Sequence, residues 1–140
     1  MNINNKLLLA ATLVTVMNFQ SCSKYDDGPA FSLRTKKARL VGEWEVVKVD
    51  GQSSNQYFGV GYTYNFEFET DGDFEISMDY SSGGQSYSYS YAGEWEWEDG
   101  KEIVEIEIDG SVEEFEIKQL TNKEMILEDE SNQEWEFEKN

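Results

Sequence analysis

The chain has 140 residues, of which 29 are Asp or Glu and 11 are Lys or Arg, giving a formal net charge of −18. Nucleic acid and anionic lipid surfaces would both repel so acidic a chain, so neither is predicted as a partner. Histidine is absent and a single cysteine is present, which leaves few side chains for acid–base or nucleophilic catalysis.

Residues 1–21 have the composition of a secretory signal peptide. Lys6 precedes an apolar run at 7–19, and a run of about 13 residues is too short to cross a bilayer as a helix. Small Ser21 then precedes Cys22. This arrangement resembles a bacterial lipoprotein signal, which implies that Cys22 becomes the acylated first residue of the mature chain and holds it at the membrane. A free thiol after ordinary cleavage and an uncut membrane-buried segment are the open alternatives.

Residues 22–35 are predicted to form a flexible tether, because they hold the only proline and show neither helical nor strand periodicity. The pair Asp26-Asp27 is similar to sorting signals that send some lipoproteins to the outer face of the outer membrane, although a solvated linker explains it equally well. The predicted location is therefore an exported protein, anchored by lipid to the outer membrane and facing either the periplasm or the cell surface.

From Leu40 onward the chain alternates apolar and polar residues with the period of half-buried antiparallel strands. Turn signals such as Asp71-Gly72 and Asp109-Gly110 separate the stretches. The predicted strands lie at about 41–49, 59–70, 73–80, 86–98, 102–109, 111–119, 124–129 and 133–138. Eight such strands in sequence order predict one all-β domain that spans residues 36–140. An up-and-down barrel, which has no exposed edges, is favoured, and a two-sheet sandwich is the alternative.

The triplet Gly42-Glu43-Trp44 resembles the start of the lipocalin-like domains of bacterial outer-membrane lipoproteins, in which a Gly-x-Trp motif opens the first strand. Residues 35–40 match the short helical turn before that strand. The resemblance implies a ligand-binding barrel whose base closes around Trp44. Family members often carry an arginine that packs on this tryptophan from near the last strand, whereas this chain offers Lys139 there.

The strand order predicts that the two ends of the barrel differ in chemistry. Gly42, Trp44, Trp95 and Trp135 are predicted at the base. Tyrosines gather at the opposite end, the mouth, where each offers an apolar ring and a hydroxyl group. The predicted ligand-binding residues are Tyr62, Tyr64, Met78, Tyr80, Tyr87 and Tyr89. We expect a small hydrophobic or amphipathic ligand there, and the alternative is a barrel filled by its own side chains with tyrosines as plugs.

Lys48 shares the parity of Trp44 and would point into the barrel near the mouth if the first strand were regular. A β-bulge would instead turn Val47 and Val49 inward and leave Lys48 in solvent. The bulge is favoured.

Repeated glutamates occupy the predicted outward positions, which is typical of a solvated surface but also suits a basic protein partner. The sequence contains no Gly-rich phosphate loop and no Ser-centred nucleophile motif, so an enzyme, a cofactor and a metal site are not predicted. Two hypotheses remain: a lipid-anchored binding protein with a ligand at the mouth, and an acidic interaction or inhibitor lipoprotein that docks on a basic partner.

Overall fold

The computed structural model describes residues 33–140. The predicted signal peptide, Cys22 and most of the predicted tether lie outside the described residues. The described part begins with a short helix, whose start is capped by Thr35: the Thr35 hydroxyl accepts a hydrogen bond from the backbone N–H of Ala38 at 3.1 Å. Within 33–140, no helix has the length and apolar character needed to cross a membrane.

Antiparallel strands make up most of the described chain. The elements are α1 (Lys36–Leu40), β1 (Gly42–Val49), β2 (Gln52–Ser53), α2 (Ser54–Tyr57), β3 (Tyr62–Phe68), β4 (Asp73–Ser82), β5 (Gln85–Glu98), a 3-10 turn (Asp99–Lys101), β6 (Ile103–Ile108), β7 (Ser111–Leu120), β8 (Glu124–Asp129) and β9 (Glu134–Lys139). From β3 to β9 each strand pairs with the next, and β1 pairs with both β3 and β9, so eight strands close into a barrel. The predicted fold is confirmed. The short elements β2 and α2, which lie between β1 and β3, were not predicted.

The interior of the barrel is packed with aromatic side chains. Trp44 and Phe68 are fully buried and Phe137 is 1% exposed. The ring of Phe66 lies 5.1 Å from that of Phe137 and 5.4 Å from that of Phe74, measured between centroids. Burying such rings is the main favourable contribution to folding. These side chains fill the half of the barrel near the base.

Trp44 is held at the base by a hydrogen bond and by a cation. Its Nε1 donates to the carbonyl oxygen of Leu40 at 2.6 Å. The ammonium group of Lys139 lies 4.7 Å from the centroid of the Trp44 ring and donates to the carbonyl oxygens of Arg39 and Val41 at 2.8 and 2.6 Å. Lys139 thus packs on the tryptophan in the place where the resemblance led us to expect an arginine, and it ties α1 to the barrel.

Gly42 is needed beside this lysine. Its φ is +127°, a conformation that L side chains rarely adopt, and an added Cβ would lie 2.7 Å from Cε of Lys139. Trp95 lies at the same end, where its Nε1 donates to the carbonyl oxygen of Glu69 at 2.9 Å. The structure therefore places Gly42, Trp44 and Trp95 at the base.

Trp135 lies at the other end, so its predicted position in the base was wrong. It pairs with Val49, the last residue of β1, and its Nε1 donates to Oδ2 of Asp129 at 3.1 Å. The reason is the direction of β9, which starts at Glu134 directly after the turn at the mouth and runs toward the base. Trp135 is only the second residue of that strand.

The predicted bulge in β1 is present between Val46 and Lys48. Val46 and Val49 are fully buried, and Val47, which was predicted to turn inward, is the half-buried extra residue of the bulge. Lys48 is exposed and its Nζ lies 2.7 Å from Oε2 of Glu136. This hydrogen bond is the main reason that the pKa of Lys48 is raised above its usual value.

Candidate binding site

Three neighbouring strands place aromatic side chains in rows across one face of the sheet. Tyr62 lies opposite Tyr80, which lies opposite Tyr87, and in the next row Tyr64, Met78 and Tyr89 are aligned in the same way. Residues directly opposite each other in antiparallel strands point to the same face. The register therefore brings together all six residues predicted to bind ligand. We call this surface the tyrosine face, and it consists of Tyr62, Tyr64, Met78, Tyr80, Tyr87 and Tyr89.

A third row continues the tyrosine face toward the base and was only partly anticipated. Phe66 lies opposite Ile76, and Ile76 lies opposite Tyr91. Phe66 is buried, whereas Tyr91 is 59% exposed. Tyr91 was not among the predicted site residues, although it has the same parity as Tyr87 and Tyr89 and could have been included on that signal.

The tyrosines of β5 are exposed because β5 is much longer than β6. Only Glu94–Glu98 pair with β6, and an added Cβ at Gly93 would collide with the carbonyl oxygen of Glu107. Gly93 therefore marks the point at which β5 leaves the barrel wall. Beyond it Tyr87 and Tyr89 are 51% and 55% exposed. These rings form part of an open face rather than the lining of a deep cavity.

The centre of the mouth is covered by α2 and the residue that follows it. The ring of Phe58 stacks on that of Tyr64 with 4.0 Å between centroids and lies 6.2 Å from the ring of Trp135. The hydroxyl of Tyr57 accepts a hydrogen bond from Nε2 of Gln133 at 3.1 Å, which ties α2 to the loop before β9. Phe58 and α2 therefore lie across Tyr64 and Trp135 at the mouth.

The sequence carries a signal for the start of α2. Ser53 and Gln56 have the spacing of a capping box, in which residues three apart satisfy backbone groups at the start of a helix. The backbone N–H and the hydroxyl of Ser53 both donate to Oε1 of Gln56, at 3.3 and 3.2 Å.

The tyrosine face changes from half-buried to exposed across its width. Tyr64 is half-buried under Phe58, and burial, with a smaller contribution from Tyr62, raises the pKa of its hydroxyl above 10.0. The rings of Tyr62 and Tyr80 lie 4.5 Å apart at the rim. An apolar surface with hydroxyl groups along its edge can cover a hydrophobic molecule and hydrogen-bond its polar end.

The hairpin of β4 and β5 is free of charge over its outer part. No charged residue occurs between Asp79 and Glu94. Neither Tyr87 nor Tyr89 therefore has a charged neighbour in sequence, in a chain of which 29% of the residues are charged. The site therefore suits an uncharged ligand.

The outer wall of the barrel is acidic, in contrast to the tyrosine face. Asp71 is the main cause of a raised pKa at Glu69, while at Glu105 burial is the main cause and Glu96 adds to it. A shallow cleft of about 290 Å³ lies on this wall and is lined by Asp71, Gly72, Asp73, Glu94, Trp95, Glu96, Glu105 and Glu107. The carboxylates of this wall repel one another.

Comparison with known proteins agrees with this geometry. The family of the lipocalin-like domain matches residues 40–127, so the chain belongs to that family. A crystal structure of a lipocalin-like protein from Bacteroides uniformis superposes with a TM-score of 0.52 at 14% identity, covering 73% of this chain and 99% of that one. No curated protein sequence matches the chain. Proteins of the lipocalin-like family are typically non-catalytic binding proteins, so membership of the family suggests a binding role.

Proposed function

We propose that this protein is a non-catalytic, lipid-anchored binding protein that holds a small hydrophobic or amphipathic molecule on the tyrosine face. The observation that carries the proposal is the pair of aligned rows across β3, β4 and β5, in which Tyr87 and Tyr89 are more than half exposed. Aligned aromatic rings left open to water mark binding surfaces more often than scattered single rings do.

The chemistry of the site favours a neutral ligand. Lys48, the cation that could have neutralised an anionic head group at the mouth, points outward to Glu136. The acidic outer wall would also repel an anion. The hydroxyls of Tyr62 and Tyr80 at the rim can instead bond an uncharged polar group, such as an alcohol or an amide.

Titration with a neutral hydrophobic probe tests the site. We expect N-phenylnaphthylamine to bind the purified protein with a rise in fluorescence, and Tyr89→Ala to weaken binding by about tenfold, because one aromatic contact contributes about 1 kcal/mol or more. Ser88→Ala is the matched control, since Ser88 is adjacent in β5 and its side chain lies on the opposite face. Equal affinity in Tyr89→Ala and wild type would contradict the proposed site. Native mass spectrometry of the same samples would identify a ligand that co-purifies.

The proposed anchor is an acyl group on Cys22. The chain enters the barrel through α1, which packs at the base, so an anchor before α1 leaves the tyrosine face at the far end, pointing away from the outer membrane. We expect Cys22→Ala to move the protein out of the membrane fraction. Retention of this variant with membranes in high salt would contradict lipid anchoring without affecting the binding proposal.

A second candidate function is docking of the acidic wall on a basic protein. The observation that favours it is the crowding of carboxylates on this wall, where Asp71 is the main cause of the raised pKa of Glu69. Such binding would weaken steeply with salt, whereas binding of a neutral probe to the tyrosine face would not. The salt dependence of each interaction therefore separates the two functions.

A further inference from the structure

The outer half of β5 is an open sheet edge. On one side β5 pairs with β4 from Gln85 to Glu94. On its other side it pairs with β6 only from Glu94 to Glu98. In the part of the chain that the structure describes, no strand pairs with the free side of residues 85–92.

The hydrogen-bonding groups on this edge can be assigned from the turn. Ser82 and Gln85 face each other across the two-residue turn Gly83-Gly84 and so form a hydrogen-bonded pair. By alternation, the backbone N–H and C=O groups of the odd residues of β5 point to β4. The backbone N–H of Trp95 obeys this rule, since it donates to the carbonyl oxygen of Gly72 at 2.8 Å. The backbone groups of Ser86, Ser88 and Ser90 therefore point to the open edge.

This edge lacks the features that keep natural sheet edges apart. Soluble proteins protect a free edge with charged side chains, proline, a bulge or a very short strand. The edge here is eight residues long, pairs in continuous register with β4, and carries neither charge nor proline. Glutamates alternate along the outward positions of many other strands, whereas residues 85–92 carry no charge that would block pairing.

We propose that this edge pairs with the same edge of a second copy of the chain, forming a two-fold dimer through antiparallel β5 strands. The order of side chains identifies the partner, because Tyr87-Ser88-Tyr89-Ser90-Tyr91 reads the same in both directions. An antiparallel ladder centred on Tyr89 sets Tyr89 against Tyr89 of the second copy, Tyr87 against Tyr91, and Ser88 against Ser90. All tyrosines then lie on one face of a continuous sheet, and the interface is isologous.

The charge of the protein sets the strength of this dimer. Two copies with a net charge of −18 each repel one another, while the uncharged edge contributes backbone hydrogen bonds and cross-strand tyrosine pairs. One short ladder buries less surface than a typical stable interface, so the dimer is weak. Salt screens the repulsion and so strengthens the dimer. Binding of a basic partner would respond in the opposite way, because salt would weaken it.

Sedimentation of the purified protein at increasing salt tests the proposal. We expect a monomer–dimer equilibrium that shifts toward dimer as salt rises, and Ser88→Pro to raise the dissociation constant about tenfold or more. Proline at 88 removes an N–H that faces the edge and leaves the bonds to β4 in place. Ser88→Ala is the matched control, because it keeps that N–H and should dimerise as the wild type does.

Cross-linking gives a second measurement that does not depend on how proline is tolerated. Tyr89→Cys places two thiols across the two-fold axis, so oxidation should yield a covalent dimer, whereas Ser81→Cys on β4 should not. The wild-type protein is the control that shows how much cross-linking occurs through Cys22 alone. A wild type that stays monomeric at high salt, or a Ser88→Pro variant that folds and dimerises unchanged, would overturn the proposal, as would equal cross-linking at positions 89 and 81. Dimerisation is measured by mass and probe binding by fluorescence, so either proposal can fail alone.

Discussion

Replacing Lys139 by methionine should destabilise the domain substantially. The substitution keeps the length of the side chain but removes the cation above Trp44 and leaves the carbonyl oxygens of Arg39 and Val41 without their donor. Two hydrogen bonds from a charged donor contribute about 3 kcal/mol, and the cation–π contact about 1 kcal/mol. Burial and the nearby Arg34 lower the pKa of Lys139, so the cost of holding the charge there offsets part of this gain. We expect a net loss of about 2 kcal/mol.

The assay for this prediction is thermal unfolding followed by tryptophan fluorescence. A loss of about 2 kcal/mol should lower the unfolding temperature of a domain this size by roughly 10 °C. Lys139→Arg is the informative control, because arginine keeps the charge and can still donate to both carbonyl groups. It should be nearly as stable as wild type. A Lys139→Met protein with wild-type stability, or an arginine variant as unstable as the methionine variant, would refute the role assigned to Lys139.

Three further predictions follow from local geometry. Gly93→Ala should lower the free energy of unfolding, measured in urea, by about 1–3 kcal/mol, because the new Cβ would collide with the carbonyl oxygen of Glu107. Unchanged stability would contradict the close approach of β5 to β6. Phe58→Ala should expose Tyr64 and bring its pKa back toward 10.0. The pKa of Tyr64 is measured by ultraviolet titration, as the difference between proteins with Tyr64 and the same proteins carrying Tyr64→Phe. An unchanged pKa would mean that Phe58 does not cover Tyr64. Neighbouring carboxylates raise the pKa of Glu69 above 4.5 in the folded protein, so the folded state binds more protons than the unfolded state between 4.5 and that raised pKa. The group's contribution to the free energy of unfolding should rise as the pH falls through this window, and Glu69→Gln should flatten the pH dependence of the urea midpoint there.

Most of the fold could be predicted because alternation of apolar and polar residues reports directly on which face of a strand is buried. The bulge at Lys48 was also predictable, since a cation competed with two valines for inward positions in β1. The position of Trp135 was predicted wrongly, although the strand order contained the answer. β9 runs from the mouth to the base, so its second residue has to lie at the mouth.

The candidate site was less predictable, because periodicity assigns faces but not neighbours. The parity of Tyr87 and Tyr89 placed them on the inner face, and the structure agrees. What parity could not show is that β6 ends before it reaches them, so the inner face becomes an open one. The cover formed by Phe58 was missed because α2 is one turn long and produces no helical periodicity, which leaves the spacing of Ser53 and Gln56 as its sequence signal.

Mapping the binding of N-phenylnaphthylamine by amide chemical shifts is the most direct test of the central claim, that ligand binds on the tyrosine face. The account predicts that the largest shifts fall on β3, β4 and the outer half of β5, at Tyr64, Met78 and Tyr89 above all. Residues of the acidic wall such as Glu105 should hardly move. Shifts concentrated on the acidic wall or at the Trp44 end, with none on β5, would contradict it.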